Sequence, residues 1–100
     1  MRNIVLVCNG GMSTSILANR IKELGGEEVE VNAYGEQEYA QHLADADVVL
    51  IGPQIRYLID DIRKQVGDSI PVASIDPRVY GSMNAEKVLK MVDELLKDSK

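Results

Sequence analysis

The residues with the most chemistry in them stand together: Cys8-Asn9-Gly10-Gly11-Met12-Ser13-Thr14-Ser15. They follow the apolar run Ile4-Val5-Leu6-Val7 and precede a helical pattern that begins near Ile16. A short continuous apolar run reads as a buried parallel strand. Strand, glycine-containing loop and helix start together form an anion site, because the first helical N–H groups lack intrahelical partners. Glycines let such a loop turn its amides inward as a nest. A cysteine at the edge of that nest is expected to lose its proton readily, since the donors that hold phosphate also stabilise thiolate. Cys8 is the expected nucleophile. The amides of residues 9–15, with the hydroxyls of Ser13, Thr14 and Ser15, are the expected phosphate cradle. A cysteine ending a buried strand is often only a small hydrophobe. Two glycines and three hydroxyls at a helix start have no place in that reading, and phosphoryl transfer through sulfur accounts for them.

Other side chains are candidates by position. An aspartate before proline, Asp76, reads as a turn residue or a ligand of loop amides, with general acid as the competing role. Gln54 and Ile55 follow the second buried strand as accessory or partner-facing residues. Tyr57 and Tyr80 are candidates for a rim that meets a partner. His42 reads as a solvated surface histidine away from the site. Arg56, Arg63 and Lys64 read as the solvated face of a helix.

The elements that must position these groups alternate. Leu17, Ala18, Ile21 and Leu24, with Ile16, mark a helix with Ser13 or Thr14 as its cap and Gly25-Gly26 as its stop. Residues 28–33 alternate polar and apolar, as an edge strand does. Residues 36–43 read as a short helix. Val48-Val49-Leu50-Ile51 is a second fully buried strand, ended by Gly52-Pro53. Ile55, Leu58, Ile59, Ile62 and Val66 form one helical stripe starting from Gln54 and closed by Gly67. Residues 70–75 form a fourth strand, at an edge because of Pro71. Residues 76–81 read as a loop. Residues 82–84 cap a last helix carrying Ala85, Val88, Leu89, Val92, Leu95 and Leu96.

Four strand–helix alternations imply an α/β fold with one four-stranded parallel sheet and helices on both faces. The two wholly apolar strands belong in the middle, so the expected order is 2-1-3-4, a shortened flavodoxin-like three-layer sandwich. Its switch point lies between strands 1 and 3, where ligands bind at the carboxyl ends. That places Cys8 beside Gly52-Pro53-Gln54, with Asp76 to Tyr80 bordering the same face.

Composition narrows the function. One hundred residues suit one domain, residues 1–100, with a core built without Phe or Trp. A single cysteine and a single histidine exclude a Cys/His zinc site and an internal disulfide. A net charge of −5 disfavours a broad nucleic-acid footprint. No run is long enough to span a membrane, and with the first strand starting at once after Met1-Arg2-Asn3 no signal peptide is expected. A cytoplasmic protein, monomeric when isolated and without metal or cofactor, is the expectation.

Thr14 separates two chemistries. Cysteine phosphatases with a C-x5-R loop carry arginine there, where its fork clamps the phosphate. Threonine lacks that clamp, and Arg20 lies further along the helix. A phosphocysteine is therefore expected to outlast hydrolysis.

Val7-Cys8 with Gly11-Met12-Ser13-Thr14-Ser15, then Asp47-Val48-Val49-Leu50-Ile51-Gly52-Pro53-Gln54-Ile55, then Ile75-Asp76 with Tyr80-Gly81, span most of the chain. In these motifs the chain resembles the IIB component of the bacterial phosphoenolpyruvate-dependent sugar phosphotransferase system, lactose/cellobiose/chitobiose type. The resemblance implies a phosphotransferase whose Cys8 accepts phosphate from a histidine of the IIA component. Cys8 would pass it to a sugar, such as cellobiose, chitobiose or lactose, held by the membrane IIC component. Exposed Met12, Ile55 and Tyr80 are the expected docking surface. Asp76-Pro77 also resembles the acid loop of low-molecular-weight tyrosine phosphatases. The alternative is such a phosphatase-like enzyme or a thiol-dependent oxyanion reductase.

Overall fold

The computed structural model describes residues 2–8, 12–67 and 69–98. Four strands, β1 (Arg2–Val7), β2 (Val29–Tyr34), β3 (Val48–Ile51) and β4 (Val72–Ser74), form one sheet of order β2-β1-β3-β4. All three pairings are parallel. β3 and β1, the latter apolar over Ile4–Val7, occupy the centre, as the continuous apolar runs require.

Side chains of β1 alternate between two cores. Ile4 and Leu6 face a core built by α1 (Met12–Gly25), α3 (Pro77–Gly81) and α4 (Ala85–Asp98). Val5 and Val7 face a second core with Tyr39, Leu43, Ile55 and Ile62. That second layer comprises a 3-10 turn at Tyr39–His42, a 3-10 stretch at Pro53–Leu58, and α2 (Ile59–Val66). Each fully buried aliphatic side chain contributes roughly 1.5–3 kcal/mol. This two-sided burial lets the sheet hold together without Phe or Trp, with Tyr39 in one core and Tyr80 in the other.

Several elements differ from the sequence reading. Helix α1 begins at Met12 and not near Ile16, so Thr14 is an interior residue and neither it nor Ser13 is the cap. Apolar periodicity marks only the apolar face of a helix, and the first turn of α1 buries a threonine instead. Ile16 is 43% exposed, because it stands about 100° round the helix from buried Leu17; Leu24 in the last turn is exposed as well. Residues 36–43 yield only a turn and the 3-10 segment. The stripe from Ile55 to Val66 is interrupted, since Ile55 is non-helical (φ −124°, ψ 28°), and α2 proper starts at Ile59. Residues 76–81 are not a loop. Asp76 caps α3 by accepting from the Arg78 amide at 2.7 Å, with Pro77 at the first helical position. The last strand is shorter than residues 70–75, although the Ile75 amide still donates to the Ile51 carbonyl at 2.8 Å.

Other expectations hold. Gly26 and Gly67 adopt positive φ, 62° and 68°, at the ends of α1 and α2, where a side chain would be strained. Asn84 caps α4, its side-chain oxygen accepting from the Lys87 amide at 3.1 Å. Both β2 and β4 lie at edges. Arg63 is not merely solvated: it donates to the Val72 carbonyl at 3.1 Å on the open edge of β4.

Candidate functional site around Cys8

Cys8 immediately follows β1 and its thiol is free and buried, 6% exposed. Parallel register puts Val7 beside Tyr34 on one side and Ile51 on the other. The Tyr34 carbonyl accepts twice from Cys8, from its amide at 2.9 Å and from its thiol at 3.6 Å. The Cys8 side chain is thus held toward the end of β2. Sequence reasoning did not single out Tyr34, because a backbone carbonyl has no side-chain signature. The 2-1 strand order was the one signal that pointed there.

The β3 side of the site is built by Gly52. Its amide donates to the Val7 carbonyl at 2.9 Å, carrying the sheet pairing to the residue before Cys8. A Cβ at Gly52 would lie 3.3 Å from Oε1 of Gln54, 3.6 Å from the Val7 carbonyl and 3.9 Å from the Tyr80 ring. Gly52, Gln54 and Tyr80 therefore converge one strand away from Cys8. A cleft of about 460 Å³ opens beyond them, lined in part by Gln54, Arg56, Tyr57 and Ser74.

Tyr80 is 9% exposed and Ile55 is 2% exposed, so neither forms the exposed docking surface that the sequence suggested. The capped turn of α3 swings Tyr80 inward, and the non-helical backbone at Ile55 drops its side chain into the second core. Tyr57, by contrast, is 67% exposed, with its hydroxyl 3.4 Å from a carboxylate oxygen of Glu36.

The Thr14 hydroxyl lies 2.6 Å from the Tyr80 hydroxyl, and both residues are buried. Its hydroxyl is committed to Tyr80, while Ser15 is exposed. Asn9, Gly10 and Gly11, expected to form the rest of the cradle, lie outside the described residues, as do the side chains of Met12 and Ser13. Arg20 donates to the Met83 carbonyl at 3.4 Å. That contact ties it to the start of α4. Asp47 lies at the far end of β3 from Cys8, where its carboxylate accepts from the Asn3 amide at 2.7 Å. Its part in the sequence motif is structural.

His42 is half-buried and stacks on Tyr34, so the expectation of a solvated histidine away from the site is corrected. An apolar ring face beside a flat tyrosine is better covered than hydrated.

The chain matches the family described as "PTS system, Lactose/Cellobiose specific IIB subunit" over residues 3–91. It is 36% identical over 100 residues to the "PTS system oligo-beta-mannoside-specific EIIB component" of Bacillus subtilis, covering 96% of this chain and 97% of that one. The chain belongs to the lactose/cellobiose IIB family. This IIB protein is also 29% identical to the "PTS system cellobiose-specific EIIB component" of Lactococcus lactis, covering 93% of this chain and 94% of that one. A cellobiose-specific phosphotransferase IIB component from Borrelia burgdorferi superposes with a TM-score of 0.78 at 32% identity, covering 99% and 94% of the two chains. A lactose-specific IIB domain from Streptococcus pneumoniae shares the fold, with a TM-score of 0.75 at 19% identity over 94% and 96% of the chains. Members of this family are phosphotransferase components that work with IIA and IIC components, and the present chain is a sugar-specific IIB component. Among the described residues no helix is long and apolar enough to cross a membrane.

Proposed function

We propose that this IIB protein is a phosphocysteine carrier acting on the cytoplasmic side of a sugar transporter. The observation that carries the reading is the placement of Cys8. It is a free thiol at the carboxyl end of a central strand, four residues before a 14-residue helix, at the switch point of the sheet. Its role is that of a relay in a single domain of residues 1–100, itself free of cofactor.

The first exchange is with a phosphohistidine of the IIA component. The Cys8 thiol gives its proton to solvent, and sulfur attacks phosphorus in line. The S–P bond forms as the P–N bond breaks, and the electron pair returns to the imidazole nitrogen. The second exchange is with a sugar held by the membrane IIC component. A sugar hydroxyl oxygen attacks phosphorus, the S–P bond breaks, and thiolate is regenerated as the hydroxyl proton leaves. In both steps the amides of Asn9 through Ser15 hold the phosphoryl oxygens, helped by the positive end of α1. The relatives are named for an oligo-beta-mannoside, galactose, cellobiose and lactose, and the sugar proposed for this chain is a disaccharide such as cellobiose, chitobiose or lactose.

Two features favour transfer over hydrolysis. Threonine stands where a phosphatase loop carries its arginine, and its hydroxyl is taken by Tyr80. Arg20 is held by the Met83 carbonyl. With Ile55 and Tyr80 buried, the partner-facing surface passes to Ile16, on the helix that follows Cys8, and Tyr57, on the stretch that follows β3, both exposed.

The test is intact-protein mass after incubation with phosphoenolpyruvate, the general phosphotransfer proteins and a cognate IIA component. One added phosphate is expected, and none on Cys8→Ser. Unmodified wild-type protein beside a demonstrably phosphorylated IIA would overturn the reading.

A further inference from the structure

The Thr14–Tyr80 hydroxyl pair spans 66 positions of the chain and is buried on both sides. Buried hydroxyls require partners, and here each supplies the other's. The two ends of the pair are anchored differently. Thr14 lies in the first turn of α1, whose leading amides have no helical partners and are the donors available to an anion at Cys8. Tyr80 is set by its own short helix: its amide donates to the Asp76 carbonyl at 2.9 Å, and Asp76 caps that helix. The Tyr80 ring lies against Gly52, whose amide is bonded to Val7, the residue before Cys8. Contacts therefore run from the end of β1 through Gly52 and Tyr80 to Thr14, and so back to the helix that follows Cys8.

We infer that Tyr80 is a positioning residue for phosphoryl transfer: through the Thr14 hydroxyl it fixes the first turn of α1 against the end of β1, and so aims the leading amides at the sulfur of Cys8. Tyr80 acts on Thr14 and not on the phosphoryl group. The effect on transfer rests on the phosphocysteine reading; the effect on the thiol does not, because the same amides stabilise a thiolate.

The variant that isolates the oxygen is Tyr80→Phe, which keeps the ring against Gly52. Two readouts are needed. In the first, the rate constant for phosphorylation of Cys8 by phosphorylated IIA is expected to fall about ten- to a hundred-fold, with the half-saturating IIA concentration unchanged. In the second, the pH midpoint for alkylation of Cys8 by iodoacetamide is expected to move upward. Thr14→Val should reproduce both effects and Thr14→Ser neither. The double variant Tyr80→Phe/Thr14→Val should be no worse than either single one. The Thr14 variants keep the test decisive if Tyr80→Phe folds poorly. An unmoved alkylation midpoint in both Tyr80→Phe and Thr14→Val would overturn the inference, as would a change confined to the half-saturating IIA concentration. If wild type takes no phosphate while the midpoint still shifts, the carrier reading fails, and Tyr80 stands as a positioning residue for the Cys8 thiol alone.

Discussion

The imidazole of His42 lies flat on the ring of Tyr34, with centroids 3.8 Å apart and planes within 2°. The carbonyl of that tyrosine meets the thiol and amide of Cys8. His42 is therefore two contacts from the sulfur while half-buried by a ring. Its arrangement serves packing, holding the end of β2 where that carbonyl is needed. His42→Ala is expected to lose about 1 kcal/mol of stability by denaturant unfolding, the usual worth of an aromatic pair. It should still take up one phosphate by intact mass. Phosphate lost in His42→Ala and retained in Cys8→Ser would reverse the two assignments.

Asp76 offers a second separation of structure from chemistry. One carboxylate oxygen is engaged as the cap of α3, at 2.7 Å from the Arg78 amide. Asparagine caps equally well, so Asp76→Asn should unfold within a few tenths of a kcal/mol of wild type, whereas Asp76→Ala should cost about 1 kcal/mol. Phosphorylation of Cys8 by IIA should stay within a few-fold of wild type in Asp76→Asn. A loss of about a hundred-fold in that variant would instead mark a proton-transferring acid.

The sheet was legible because its evidence lies in side chains. Ile4–Val7 and Val48–Ile51 have no polar residue to turn outward, so both had to be central, and the order followed. Cys8 was legible for a related reason: its neighbours are residue types that an inert core does not need. The orientation of Tyr80 was harder, because tyrosine suits a rim and a core equally. The deciding signal was Asp76-Pro77, a cap followed by a first-turn proline, which starts a helix where a loop was expected. Ile55 fits the spacing of a helical stripe, yet its own backbone is non-helical, and no periodicity reports that. Tyr34 contributes a carbonyl, which every residue has.

Met83 joins α3 to α4 with φ 55°, the one positive value among the described non-glycine residues. That conformation costs a residue with a Cβ about 1 kcal/mol. Met83 is also half-buried against the first core, so its side chain offsets the strain. Met83→Ala discards the packing and keeps the strain; Met83→Gly discards both. The glycine variant is therefore expected to be the more stable of the two, by about 1 kcal/mol in urea unfolding. The reverse order would mean that backbone freedom in the unfolded chain outweighs the strain at this turn.

Gly25 tests the opposite use of glycine. Its backbone is ordinary (φ −79°, ψ −20°), so conformational freedom does not explain it. Space does: a Cβ there would lie 2.6 Å from one methyl of Val29 and 2.7 Å from its Cβ, at the first residue of β2. Those atoms belong to a short β-branched side chain, which cannot swing aside as a long one could. Gly25→Ala must therefore push the end of α1 away from β2 and is expected to cost about 1–3 kcal/mol, despite alanine's better helix propensity. Trimming the obstacle should recover most of that cost, so the double variant Gly25→Ala/Val29→Ala should be more stable than the sum of the two single effects allows. Thermal unfolding of the four proteins closes this cycle. Additive losses would show that the close approach of α1 to β2 is not what keeps residue 25 a glycine.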